Sequence, residues 1–230
     1  MSDEITLDTM GRPHKRGCIR RFAALRAVLA ADLFRYDGRT DARNFIRHYV
    51  FTPGYKYTVL MRTAGWLSLK PFKAFGLHPL FKLLLLRARY KYGFAIPEYM
   101  VVGPGLFINR FGGVYMNGDA VIGCNANITH GTMLGQANRG RQMGSPIVGD
   151  RVFIGAGAKI VGRIVVGNDS SIGSNAVVTK DVPDGGVVGG VPAKLLSMGG
   201  SEGYINRQVP AELMRRCAGA FVGPVPDSFA

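Results

Sequence analysis

Apolar side chains recur at three- and four-residue intervals between residues 20 and 92, and beyond residue 101 they recur every six. Phe22, Leu25, Val28, Leu29 and Leu33 mark one face of a helix that begins near Arg20. Asp41 stands where an N-cap belongs, ahead of Phe45, Ile46 and Tyr49, which predicts a second helix. Pro53-Gly54 breaks the pattern, and two further helical stretches are expected at 56–70 and 72–92, divided near Pro71. Together these predict an α-helical N-terminal subdomain over 20–100. Residues 1–19, polar and basic with Gly11, Pro13 and Gly17, are expected to form a flexible arm ahead of it.

In the second half, aliphatic residues fall at Ile122, Ile128 and Leu134, then at Val148, Ile154, Ile160, Val166, Ile172 and Val178. Glycine directly follows six of these nine, and small or β-branched side chains such as Ala126, Thr132, Ala158, Ser170 and Ala176 stand four residues after an aliphatic position. Hexapeptide periodicity is the mark of a parallel β-helix, in which each unit makes a short strand and a corner and stacked coils bury the aliphatic column. The predicted fold is mainly β, with hexapeptide repeats over 101–198. The register slips twice. Leu134 and Val148 are separated by two hexads plus two residues, and the polar, glycine-rich segment between them predicts a loop over 135–147 leaving the solenoid. An earlier slip, between Val114 and Ile122, is assigned to a bulge at Asn117-Gly118. Residues 199–230 form a C-terminal extension with a short helix expected near Ala211–Ala218.

Charge divides the chain in the same place. Of 29 Lys+Arg and 15 Asp+Glu, residues 1–100 hold 18 basic and 7 acidic. Nucleic acid is an unsuitable partner, because no RNP, zinc-finger or helix-turn-helix pattern accompanies the charge. The segment that interleaves Arg62, Lys70, Lys82, Arg87, Arg89 and Lys91 with Trp66, Phe75, Phe81, Tyr90 and Tyr92 has two readings. One is a peripheral contact with anionic membrane, and the other is an ordinary helical subdomain with a solvated charged face. The most apolar run, Pro79 to Leu86, is interrupted by Lys82 and too short to span a bilayer. The start Met-Ser-Asp-Glu does not resemble a secretory signal. Cys18, Cys124 and Cys217 are odd in number and lack CxxC spacing, so reduced thiols, a cytoplasmic location and no metal are expected. His14, His48 and His78 lie without partners at ligand spacing.

The hexads occur together with Phe51-Thr52-Pro53-Gly54-Tyr55-Lys56-Tyr57, Gly103-Pro104-Gly105-Leu106-Phe107-Ile108, Ile154-Gly155-Ala156-Gly157-Ala158-Lys159-Ile160 and Val188-Gly189-Gly190-Val191-Pro192-Ala193-Lys194. In this combination the chain resembles the hexapeptide-repeat acyltransferases, in the serine acetyltransferase-like branch, and looks closest to members encoded with polysaccharide biosynthesis enzymes. The resemblance implies a left-handed β-helix, a homotrimer, acetyl-CoA as co-substrate lying between neighbouring solenoids, and a histidine that activates the acceptor. It places Ala156 and Ser174 in the CoA groove, and Gly135 and Gln136 at the start of the loop that closes it. Lys194 falls where an ammonium would meet CoA phosphate or the adenine end.

The chain departs from that pattern where the histidine is expected. Asn109-Arg110-Phe111-Gly112-Gly113 follows Ile108, so Arg110 stands in the histidine's place, and an arginine is no general base near neutral pH. The branch's second histidine aligns with Ser145. His130 is the one histidine in this half, two residues after Ile128 as Arg110 is two after Ile108. The count places His130 one coil from Arg110 on the same face, and adjacent strands lie about 4.8 Å apart. His130, Arg110 and Asn109 are therefore the candidate catalytic residues, with His130 as base and Arg110 stabilising the oxyanion or holding an anionic group of the acceptor.

Three functions fit this sequence. The first is O-acetyl transfer from acetyl-CoA to a sugar or polysaccharide-related hydroxyl. The second is N-acetylation of an amino sugar or small amine, with serine O-acetylation as a chemical cousin. The third is a catalytically degenerate solenoid that binds CoA or a partner.

Overall fold

The computed structural model describes residues 15–71 and 75–222. Most of the expected arm, residues 1–14, and the last eight residues of the extension lie outside them. The arm's final residues are packed rather than free: Arg16, Cys18 and Ile19 are buried, and Ile19 pairs antiparallel with Phe221. The apolar side chain of Ile19 and the Arg16 Nη2–H bond to the Asp119 carbonyl (2.5 Å) tie this segment down.

Four helices precede the solenoid: α1 (Phe22–Asp37), α2 (Ala42–Phe51), α3 (Pro53–Leu67) and α4 (Leu77–Tyr92). Asp41 caps α2 as expected, its carboxylate accepting from the Asn44 N–H at 2.9 Å. Pro53-Gly54 starts a helix instead of opening a loop, because proline suits the first helical position, where no N–H partner is needed. Gly54 is required by proximity: a Cβ there would lie 2.4 Å from the Ile108 carbonyl oxygen of the solenoid. α3 is the central helix and packs on α1, α2 and α4.

The solenoid starts earlier than residue 101, at β1 (Phe94–Ala95), directly after the α4 cap at Gly93. Its strands form three parallel faces. The first face holds β1, β4 (Val114–Met116), β7 (Met133–Gly135), β10 (Lys159–Val161) and β13 (Val177–Val178). The second holds β2 (Val101–Val102), β5 (Val121–Ile122), β8 (Ile147–Val148) and β11 (Val165–Val166). The third holds β3 (Phe107–Ile108), β6 (Asn127–Ile128), β9 (Phe153–Ile154), β12 (Ser171–Ile172) and β14 (Val187–Gly189), closed by antiparallel β15 (Lys194–Ser197). This is a left-handed β-helix whose aliphatic column, including Ile122, Ile128, Leu134, Ile154, Ile160 and Ile172, is fully buried. A short helix, α5 (Ala211–Cys217), packs back against α1.

Both register slips are resolved by strand pairing. Tyr115 pairs with Met133 and Met116 with Leu134, while Ile108 pairs with Ile128. Met116 therefore occupies the core position, six residues before Ile122. The extra residues lie in the corner Asn109–Gly113, not at Asn117-Gly118. Leu134 and Val148 hold consecutive core positions, so the excursion between them is longer than two residues. It leaves the coil as a hairpin, with Ala137 and Gly144 exchanging N–H bonds to each other's carbonyls at 3.0 and 2.9 Å.

Candidate active site

Each coil turns from the third face to the first through a corner two residues past its aliphatic strand residue. Strand pairing runs Ile108, Ile128, Ile154, Ile172 and Val188 side by side, so His130, Ala156, Ser174 and Gly190 form one column on that corner. In the first coil the two extra corner residues shift the register: the Gly131 N–H donates to the Gly112 carbonyl, so Gly112 and not Arg110 lies beside His130. The expected stacking of Arg110 on His130 is replaced by an Arg110 that stands in the enlarged corner Asn109–Gly113. Backbone bonds continue the alignment: the Asn109 N–H donates to the Ile128 carbonyl (3.0 Å), Gly157 to His130 (2.9 Å) and Asn175 to Ala156 (2.7 Å). At about 4.8 Å per coil, His130 to Ser174 spans roughly 10 Å.

The corners are built from residues that accept a left-handed backbone. Gly131 and Gly157 have φ of 72° and 73°, and Asn175, at 57°, takes the same role in the next coil. Around His130 the turn is held from several directions. Thr129 Oγ1–H donates to the Ile154 carbonyl and Thr132 Oγ1–H to the Thr129 carbonyl, both at 2.7 Å. The Gly131 N–H donates to the Gly112 carbonyl at 2.9 Å. Lys159 Nζ donates to the Gly131 carbonyl and, at 3.1 Å, to the Gly157 carbonyl. The backbone under His130 is fixed while the side chains of Asn109, Arg110 and His130 are exposed. No Asp or Glu occurs in the five corner turns.

Of the predicted groove residues, Ala156 and Ser174 lie in the column with His130, and Lys194 pairs with Gly189 at its far end, exposed. Gly135 and Gln136 lie at a different corner, between the first and second faces. There Gly135 is buried and accepts from the Gly162 N–H, and Gln136 Oε1 accepts from Asn117 Nδ2 at 3.2 Å. Ser145 is buried and donates to Asn117 Oδ1 at 3.0 Å. The small side chains of the column leave a strip of backbone with Lys194 at one end and, beyond the other, the enlarged corner that carries the exposed Arg110. Such a strip suits an extended chain bearing phosphates. Among the described residues no group of three or more His, Cys, Asp or Glu side chains is placed to hold a metal ion.

Lys159, which donates to the Gly131 and Gly157 carbonyls, is a support of the corner that the periodicity did not reveal. Its side chain lies half-buried under the His130 turn, a placement that only the coil stacking decides.

A three-faced solenoid of six-residue units with a histidine on one corner defines a hexapeptide transferase. A family profile described as bacterial transferase hexapeptide (six repeats) matches residues 145–180. The serine acetyltransferase of Synechococcus elongatus is 34% identical over 177 residues, covering 75% of this chain and 69% of that protein. The serine acetyltransferase of Mycobacterium tuberculosis is 46% identical over 96 residues, 42% of each chain. A crystal structure of the Brucella abortus serine acetyltransferase in complex with coenzyme A superposes with a TM-score of 0.60 at 29% identity, covering 76% of this chain and 66% of that one. The chain belongs to the hexapeptide-repeat transferase family, and within that family its relatives are serine acetyltransferases. It spans less than half the length of the Mycobacterium tuberculosis enzyme.

Proposed function

We propose that this protein transfers acetyl groups from acetyl-CoA to a hydroxyl, with His130 as general base. The observation that carries the reading is the column itself, in which His130 is followed by the small residues Ala156 and Ser174. A relative of the same fold, solved with coenzyme A, supports the co-substrate. In the reaction His130 takes the proton from the acceptor hydroxyl as the oxygen attacks the thioester carbonyl. The tetrahedral oxyanion is stabilised by Arg110 or a corner N–H, then collapses, breaking the C–S bond. His130 returns its proton to the departing thiolate, and the products are the acetyl ester and CoA.

The relatives favour serine as the acceptor over a sugar hydroxyl, which reverses the order expected from sequence. Serine carries a carboxylate, and a guanidinium at Arg110 is suited to hold it with two parallel hydrogen bonds. The resemblance to members encoded with polysaccharide enzymes keeps the sugar hydroxyl as the second reading. A homotrimer would complete the groove by bringing a neighbour's hairpin, with Gly135 and Gln136 at its base, toward the column.

The test is to incubate the protein with acetyl-CoA and, separately, serine, sugars, nucleotide sugars and amino sugars, following free CoA thiol and product mass. O-acetylserine formed by wild type and lost in His130→Ala supports the reading. CoA binding without turnover on any of these acceptors would favour the degenerate solenoid.

A further inference from the structure

Helix α4 gives little of itself to the core. Leu85 and Ala88 are its buried residues, whereas Leu77, Leu80, Leu83, Leu84, Leu86 and Tyr90 are exposed, Leu83 at 61% and Tyr90 at 80%. At 100° per residue these side chains cover one continuous outer arc, with Arg87 and Lys91 among them. Lys82, at the edge of the arc, pairs with Glu98. The helix contains four Lys or Arg residues and no Asp or Glu. Among the described residues no helix is long and apolar enough to cross a membrane.

From this face we infer that α4 lies flat on an anionic lipid bilayer, its leucines in the headgroup boundary and its cations on the lipid phosphates. Charge decides the partner. A second copy packed face to face across a two-fold axis would set Arg87 and Lys91 against their own counterparts. An anionic surface satisfies the leucines and the cations together. The position of the helix adds a consequence. Its last turn joins the site, because the Gly112 N–H donates to the Tyr92 carbonyl at 2.9 Å and the Val114 N–H to the Gly93 carbonyl at 3.0 Å. The enlarged corner bearing Arg110 and the exposed Phe111 thus sits at the C-terminal end of the docked helix, next to the column that would receive an acceptor held at the bilayer. The docking itself does not depend on the acetyltransferase reading.

Flotation of the full chain with vesicles tests it, using phosphatidylcholine alone or mixed with phosphatidylglycerol, at low and high salt. Wild type should float with the anionic vesicles at low salt and stay behind with phosphatidylcholine. Each cation near such a surface is worth about 5-fold in partitioning, so Arg87→Glu/Lys91→Glu should lower binding by more than about 25-fold. Arg139→Glu/Arg141→Glu, an equal charge change on the exposed hairpin and outside the α4 face, should keep most of it. Leu83→Ser should weaken binding about 5-fold through lost apolar contact. Failure of wild type to float with anionic vesicles would overturn the inference, as would equal loss in both charge-reversed pairs. Sedimentation showing that the α4 variants change oligomeric state would assign the face to a second copy instead.

Discussion

Arg62 of α3 and Asp32 of α1 form an ion pair with almost no solvent exposure, Nε to Oδ2 at 3.1 Å and Nη2 to Oδ1 at 3.3 Å. Each partner also reaches the solenoid. Arg62 donates to the Val102 and Gly103 carbonyls at 2.6 and 2.8 Å, and Asp32 Oδ1 accepts the Gly105 and Leu106 N–H groups, both at 2.9 Å. The pair fastens the helices to the first coil, so removing one member leaves an uncompensated buried charge. Asp32→Ala is expected to destabilise the fold by about 3–5 kcal/mol, read from the urea midpoint. A loss below 1 kcal/mol would show that the pair is dispensable for docking the helices.

His130 is exposed on a fixed turn, so its removal should affect chemistry and not stability. Under the proposed function, His130→Ala lowers kcat by about 10²- to 10⁴-fold with an unchanged melting temperature. Retained turnover would remove the residue from the mechanism.

Arg110 separates the two tasks assigned to it by its kinetic effect. If it holds the acceptor carboxylate, Arg110→Ala raises KM for serine much more than it lowers kcat. A fall in kcat with KM preserved would instead place the guanidinium on the oxyanion.

Gly157 tests the corner itself. With φ of 73° and a Cβ site 2.0 Å from Asn175 Oδ1, Gly157→Ala brings both strain and a clash. A loss of at least about 1–2 kcal/mol is expected from the backbone alone. Asn175→Gly in the same chain should recover the clash component, and thermal melts of the single and double variants measure it.

The thiols should be inert in the native protein. Burial pushes Cys18 up to about 11 and Cys217 up to about 12, and Cys124 upward as well. A thiol-specific reagent at mildly alkaline pH should modify them at the rate of unfolding; fast modification of native protein would contradict their burial.

Asp37 supplies a pH signature. Its hydrogen bond with His48 Nε2, at 2.9 Å, holds its carboxyl below the ordinary value of 3.8. A depressed folded value means stability that is present above 3.8 and lost as pH falls through the folded value. Wild type should therefore melt above Asp37→Asn at neutral pH, and the two curves should converge in strong acid.

The hexad pattern made the coils and the column legible, because one aliphatic residue per strand must face the axis and its spacing fixes which corner positions stack. The family resemblance singled out Arg110 and the count singled out His130, but the count also stacked the two, whereas the enlarged corner sets Gly112 beside His130. The same count misplaced the first slip, since Val114 and Met116 are two apart on one strand and both point inward. Only the pairing of Met116 with Leu134 selects between them. Lys159 was invisible for a related reason: a lysine in a repeat reads as solvated until the neighbouring carbonyls that receive it are in place.

By itself, the sequence determined the periodicities, hence the element types, the buried column and the residue types on its corner. Tertiary structure decided which charges are buried, as with Arg62 and Asp32, where the extra corner residues stand, and that α4 ends against the site. Those outcomes rest on contacts between segments distant in the chain, which hydrophobic spacing within a segment does not encode.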